Sequence, residues 1–262
     1  MPHLPLELVR MVVTNVATVQ APLHPLLFVS KEFLHEACRE LYRHVVIKET
    51  HKRQQLPMNN ATKRSYYASL VENITIHSCR LFNDIRRILH TVQNLKTLEI
   101  LGKDFSTIQY VLRPDYPFEL DSFTCDIHDH PRLIEFVQSQ PTIRTIFWDP
   151  GFYRTLPAFR TAVEAANFLP NLENMKTEIL FLSSGMFSVS KVKRLHLDAS
   201  NCYYNVHPLL TESTVASRNV TSLVLLSDAF SLDRILVFFP NLRYLEGNWS
   251  FVSLHLVRID AL

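Results

Sequence analysis

The chain has 262 residues, 47% of them hydrophobic and 20% charged, with a formal net charge of +2. That is enough apolar content for one or two domains with a substantial core. The charge is nearly balanced and forms no lysine or arginine stripe, so the electrostatic footprint of a nucleic-acid-tracking protein is missing. Four cysteines, Cys38, Cys79, Cys125 and Cys202, lack CxxC pairing, which points to reduced thiols rather than a disulfide framework or zinc site, and to the cytoplasm, the nucleus or both. No uncharged apolar run approaches about 18 residues, so neither a signal peptide nor a membrane span is expected. The sequons at Asn60, Asn73, Asn219 and Asn248 then have no access to glycosylation.

Residues 1–47 hold more apolar surface than they can bury alone. Pro5 suits the first position of a helix, Glu7 lies in its first turn, and Ser30 ahead of Lys31 and Phe33 is an N-cap, so three short helices and then a strand are expected. On a helical projection Leu4, Leu8, Val9, Met11, Val12, Val13 and Val16 sweep roughly 200°, twice the roughly 100° that one docked face needs. Each Leu or Val left in water forgoes roughly 1.5–3 kcal/mol, so another protein or the rest of the chain is expected to cover the spare flank. Leu4-Pro5, Glu7-Leu8, Val29-Ser30-Lys31, Phe33 and Leu41-Tyr42 resemble an F-box, the adaptor-binding module of SCF-type ubiquitin ligases. The resemblance covers residues 1–48. It implies that Leu4, Pro5, Leu8, Val12, Val29 and Phe33 bind a Skp-type adaptor and, through it, a cullin. Thr14, Asn15, Pro22 and Pro25 depart from the pattern, and the alternative is a small helical cap on the neighbouring domain.

Residues 49–69 are polar, with basic pairs at Lys52-Arg53 and Lys63-Arg64, and read as a solvated connector; a bipartite nuclear import signal is the other use of such pairs.

From about residue 70 to 262 the sequence returns to L-x-x-L-x-L or a near relative: Val71-Ile74-Ile76, Leu95-Leu98-Ile100, Leu120-Phe123-Cys125, Ile143-Ile146-Trp148, Leu172-Met175-Thr177, Val192-Leu195-Leu197, Val220-Leu223-Leu225 and Leu242-Leu245-Gly247. First positions recur every 20 to 29 residues, the range in which leucine-rich repeats stack. Apolar residues ten, seven, six and three positions ahead of the strand (Ile85, Ile88, Leu89 and Val92; Leu232, Ile235, Leu236 and Phe239) share one helical face. Ahead of Ile143 the same offsets give Leu133, Phe136, Val137 and Gln140, and ahead of Leu172 they give Ala162, Ala165, Ala166 and Leu169. Gln93-Asn94, Pro141-Thr142, Pro170-Asn171 and Pro240-Asn241 fill the junction, where Pro halts a helix and Asn tolerates a left-handed turn. The third repeat is weakest, because Pro114 and Pro117 interrupt its approach and leave Ile108, Val111 and Leu112. At the C-terminus Val252, His255, Leu256 and Ile259 keep the helical offsets, so a closing helix is expected, either as a cap or because the repeats extend further.

A helix, turn and short strand per repeat cannot hide both apolar faces alone, so neighbours must stack. This half resembles the irregular leucine-rich repeats that often follow an F-box, though without a fixed asparagine after the strand. The fold class expected is therefore α/β: a small three-helix F-box followed by a leucine-rich-repeat solenoid, with parallel strands on the concave face and helices on the convex face. An ordinary α/β domain is the competing description. Alternation leaves Thr97, Glu99, Thr145, Phe147, Asp149, Lys176, Glu178, Arg194, His196, Asp198, Tyr244 and Glu246 on the concave face as candidate target-binding residues.

Catalytic signatures are sparse. Cys125, His128, Asp129 and His130 form the densest set of metal-ligand types, with no second cluster to complete it. Only four glycines occur, no G-x-S-x-G elbow is present, and Trp148-Asp149-Pro150-Gly151-Phe152-Tyr153 reads as rim padding or a ligand loop. Neither enzyme activity nor a cofactor or metal is expected. The resemblance implies a non-catalytic substrate receptor that holds a protein target near a ubiquitin-conjugating enzyme, and the alternative is a repeat scaffold with no ligase attached.

Overall fold

The structure, a computed structural model, describes residues 4–48, 61–77, 82–102, 109–126, 131–148, 169–178, 191–198, 216–226, 235–237, 239–249 and 252–258. Among these, ten strands form one sheet in chain order: β1 (His44–Ile47), β2 (Asn73–His77), β3 (Thr97–Leu101), β4 (Ser122–Cys125), β5 (Thr145–Trp148), β6 (Asn174–Glu178), β7 (Arg194–Asp198), β8 (Ser222–Leu226), β9 (Tyr244–Trp249) and β10 (Val252–Arg258). Pairing from β1 to β9 is parallel throughout, and β10 runs antiparallel to β9. Helices α1 (Leu6–Thr18) and α2 (Lys31–Arg43) precede β1, α3 (Ala61–Leu70) precedes β2, α4 (Phe82–Thr91) precedes β3, and α5 (Pro131–Gln138) precedes β5. This is an α/β fold on an open, nearly all-parallel sheet, an order compatible with a solenoid. No helix among the described residues is long and apolar enough to cross a membrane.

Inward alternation builds the core. Ile74, Leu98, Phe123, Ile146, Met175, Leu195, Leu223 and Leu245 stand directly opposite one another across β2 to β9, and all are buried. From the helical side Ile85, Leu89, Val92, Leu133, Phe136 and Val137 close onto them. The approach to β4 that Pro114 and Pro117 interrupt is filled by rings instead: Tyr116 stacks on Phe118 at 5.3 Å, and its hydroxyl donates to the Val111 carbonyl. Burial pushes that phenol well above its ordinary pKa.

Main-chain hydrogen bonds set the spacing of the strands. The carbonyls of Glu72, Lys96, Asp121, Arg144, Glu173, Lys193 and Thr221 each accept two consecutive N–H groups from the next strand's entry, at 2.8–3.1 Å. Side chains at this column, from Arg43 to Arg243, alternate in sign: Arg43, Glu72, Lys96, Asp121, Arg144, Glu173 and Lys193, then Thr221, then Arg243. Arg43 Nε and Glu72 Oε2 lie 2.9 Å apart. The junction asparagines have a role that left-handed backbone does not describe. Asn94, Asn171 and Asn241 each donate from Nδ2 to a carbonyl of the preceding repeat, on Ser69, Pro141 and Arg218, at 2.7, 3.0 and 2.7 Å. At the Pro170-Asn171 junction positive φ falls on Leu169 instead, at 48°.

Two further elements differ from the sequence expectation. The second N-terminal helix is a 3-10 turn, His24–Phe28, whose first turn contains Pro25. The C-terminal segment is strand β10 rather than a helix, with a register shift between Leu254 and Val257. Over so few residues Val252, Leu254 and Leu256 satisfy a period of two as well as a helical one. The open edge of β9 decides between them, because it supplies the hydrogen-bond partners.

Thr177 points into the inward ladder between Trp148 and Leu197, and its buried hydroxyl has no hydrogen-bond partner among the described residues. Thr177→Val keeps the shape and removes the unpaired polar atom, so the unfolding free energy should rise by about 1 kcal/mol. Urea denaturation measures it, and a loss of stability would mean that the hydroxyl is paired.

Candidate functional site

Two surfaces carry the candidate residues. The first is the outer flank of α1. Pro5 is the N-cap of this helix rather than its first residue, and its carbonyl accepts from Leu8 N and Val9 N. Val9 and Val13 are each 1% exposed and pack with Leu23 and Ala37 as a small second core, ringed by Val16, Leu26, Leu27, Phe33 and Leu41. Leu8 lies about 100° around the helix from Val9, on the flank where Leu4, Leu8, Met11 and Val12 are 49%, 42%, 54% and 37% exposed. Of the six candidate adaptor contacts, Leu4, Pro5, Leu8, Val12 and Val29 face solvent, whereas Phe33 is half-buried against the second core.

One side-chain cap and an ion pair hold this arrangement. Ser30 Oγ accepts from Phe33 N at 3.3 Å, as its N-cap position requires, and also donates to Glu32 Oε2 at 2.6 Å. Arg10 Nε meets Glu36 Oε1 at 3.1 Å, tying α1 to α2. Residues 61–69 of the expected polar connector, together with Leu70, form α3 rather than a plain linker, and it docks on α2 through aromatic contacts. Tyr66 stacks on His35 and Tyr67 lies 4.5 Å from Tyr42, while Ala68 joins the main core. Phe28 at 88% exposure and the exposed Leu34 were missed as candidates. The signal for Phe28 was the apolar run Leu26-Leu27-Phe28-Val29, too long for a turn with so little core to enter.

The second surface is the sheet face opposite the inward ladder. Thr97, Thr145, Arg194 and Tyr244 fall in one cross-strand row, which also holds Ser122, Asn174 and Ser222. Glu99, Phe147, Lys176, His196 and Glu246 fall in the next row, with Thr124 and Val224 between them. At the N-terminal end the second row is self-satisfied: Thr75 Oγ1 donates to Glu99 Oε2 at 2.9 Å and meets His44 Nε2 at 3.0 Å. Further along, Lys176 Nζ sits 4.1 Å from the centroid of the Phe147 ring, a cation–π contact. Arg194, Tyr244 and Glu246 are exposed. Glu178 and Asp198 close β6 and β7 with side chains outside the described residues, and Asp149 lies outside them altogether.

Among the described residues the remaining chemistry does not assemble into a site. Cys125 is buried in the core, and His128, Asp129 and His130 lie outside the described residues, as does the loop from Asp149 to Tyr153. Among the described residues no group of three or more His, Cys, Asp or Glu could hold a metal ion. The arrangement offers protein-sized surfaces: one apolar flank on a helix, and one polar sheet face with aromatic and cationic side chains. No family model matches the chain, and no curated protein matches it.

Proposed function

We propose that the protein is the substrate-recognition subunit of an SCF-type ubiquitin ligase, binding a Skp-type adaptor through its N-terminal F-box-like helices and a protein target through leucine-rich repeats. The exposed apolar flank of Leu4, Leu8, Met11 and Val12 carries the proposal, because a helix that already buries Val9 and Val13 has no use for a second apolar face within its own fold. Target capture is assigned to the outward rows of the sheet. There Phe147 and Tyr244 are aromatic anchors, and Arg194 is an exposed guanidinium suited to carboxylate or phosphate. No catalytic step is required of this chain, since tethering raises the local concentration of target lysines near the conjugating enzyme.

The alternative is a protein-binding scaffold with no ligase attached. The continuity of β1 with β2 favours it, since that pairing would let the N-terminal helices serve as a cap on the sheet. Co-purification separates the two. The full chain should retain adaptor and cullin, and the double variant Leu4→Ala, Pro5→Ala should lose both while its sheet stays folded by circular dichroism. Undiminished capture by the folded double variant would remove the adaptor assignment.

A further inference from the structure

The outward face of the sheet gathers its bases in one place. From β4 to β8 the ionisable side chains in its two rows are Lys176, Arg194 and His196, with no carboxylate among them. The carboxylates of the same rows stand beyond that stretch: Glu99 on β3, already accepting from Thr75 Oγ1 at 2.9 Å, and Glu246 on β9. Glu178 and Asp198 lie one step further along β6 and β7, with side chains outside the described residues. Lys176 is directly opposite His196, and Arg194 lies two residues before His196 on the same face. Bases at opposed and diagonal positions gain nothing from one another, whereas an acid at any of the three would stabilise the pairing. Lys176 instead meets an aromatic ring. Its Nζ rests 4.1 Å from the Phe147 centroid, a contact that holds the ammonium in place and leaves its charge unneutralised. Arg194 on the next strand is exposed.

We propose that this patch holds an acidic, unphosphorylated segment of the protein target, with carboxylates on alternate residues of an extended stretch. The inference rests on the assignment of target capture to the sheet, and adds the chemistry of what is captured. Lys176 and Arg194 are one strand apart across the sheet and two residues apart along it, about 4.8 Å by about 6.6 Å, so their backbone positions are about 8 Å from each other. A phosphoryl group gathers its charge at a single point and cannot meet both. Two carboxylates on alternate residues lie about 6.8 Å apart on one side of an extended chain, and the flexible Lys176 stem spans the remaining difference. The Arg194 guanidinium can take its carboxylate through two parallel N–H bonds. Glu99 and Glu246 bound the patch on either side and disfavour an acidic segment displaced toward either end of the sheet.

The test measures fluorescence anisotropy of labelled peptide pools, degenerate apart from two fixed alternate positions, with the full chain. The pool with glutamate at the fixed positions should bind saturably, and the pool with glutamine there at least tenfold more weakly. Lys176→Gln with Arg194→Gln should weaken binding of the glutamate pool at least tenfold. Lys96→Gln with Arg144→Gln removes the same charge from the strand-entry column and should change the affinity less than twofold. In the unaltered chain the Arg194 Nε–H signal should shift on NMR titration with the same saturation, a reading that needs no variant to fold. Absence of saturable binding, equal binding of the two pools, equal loss in the two double variants or an unmoved Arg194 signal would overturn the site. Preference for a pool with phosphoserine at the fixed positions would overturn the carboxylate assignment. Adaptor and cullin capture is measured apart from these affinities. Its failure would remove the ligase reading and leave the acidic segment standing, whereas failure of the peptide binding would leave adaptor capture intact.

Discussion

Phe123→Ala should lower the unfolding free energy by about 3–5 kcal/mol, the range for truncating a fully buried aromatic side chain. Phe123 has no solvent exposure, stands between Leu98 and Ile146 in the inward ladder, and lies 5.4 Å from the Phe136 ring on α5. It is the residue where sheet and helix layers meet in the middle of the chain. Each strand pairs only with its chain neighbours, so no distant contact can take up the cavity. Urea denaturation should show a lower midpoint, and hydrogen exchange should show amides of β3 to β5 losing protection before those of β8 and β9. A loss below about 1 kcal/mol would mean that this site collapses freely on truncation.

Gln140→Leu should cost about 1–3 kcal/mol although it makes the core more apolar. Gln140 is 2% exposed, and its Oε1 accepts from Leu120 N at 3.0 Å. Leu120 precedes β4, where its N–H would otherwise be a buried donor without an acceptor. Leucine fits the space and leaves that donor stranded, so desolvation outweighs the gain in hydrophobicity. Equal or higher stability of the variant in denaturant would show that Leu120 N–H finds water or another acceptor.

The strand ladder was legible because L-x-x-L-x-L places two inward side chains per strand, and a buried parallel sheet tolerates little else there. The helical faces before β3 and β5 were legible for the same reason, from Ile85 with Leu89 and from Leu133 with Phe136. Gln140 looked like a flaw in an apolar face because its purpose, a single N–H twenty residues earlier, has no local signature. The junction asparagines were visible, but their acceptors are carbonyls of the previous repeat, and a long-range partner leaves no periodicity to read. Residues 252–258 misled because seven residues fit two periods and the neighbouring strand edge decides. At the N-terminal surface the excess apolar flank was legible from α1 alone. Which of its residues stay outside was not, since Phe33 turns inward only in the presence of α1 and the 3-10 turn.

The doubly accepting carbonyls do their work through the main chain, so the side chains of that column are released from packing and free to carry charge. Their alternation matters most before the sheet is complete. A strand that docks beside its correct neighbour meets an opposite sign, as Glu72 does with Arg43. One that skips a repeat meets its own sign, Glu72 against Asp121 or Lys96 against Arg144. At about 5 Å in water such a like-charge encounter costs roughly 1 kcal/mol. Repeats with similar inward residues would otherwise be interchangeable, and from Arg43 to Lys193 this column separates a correct neighbour from the repeat one further along during folding.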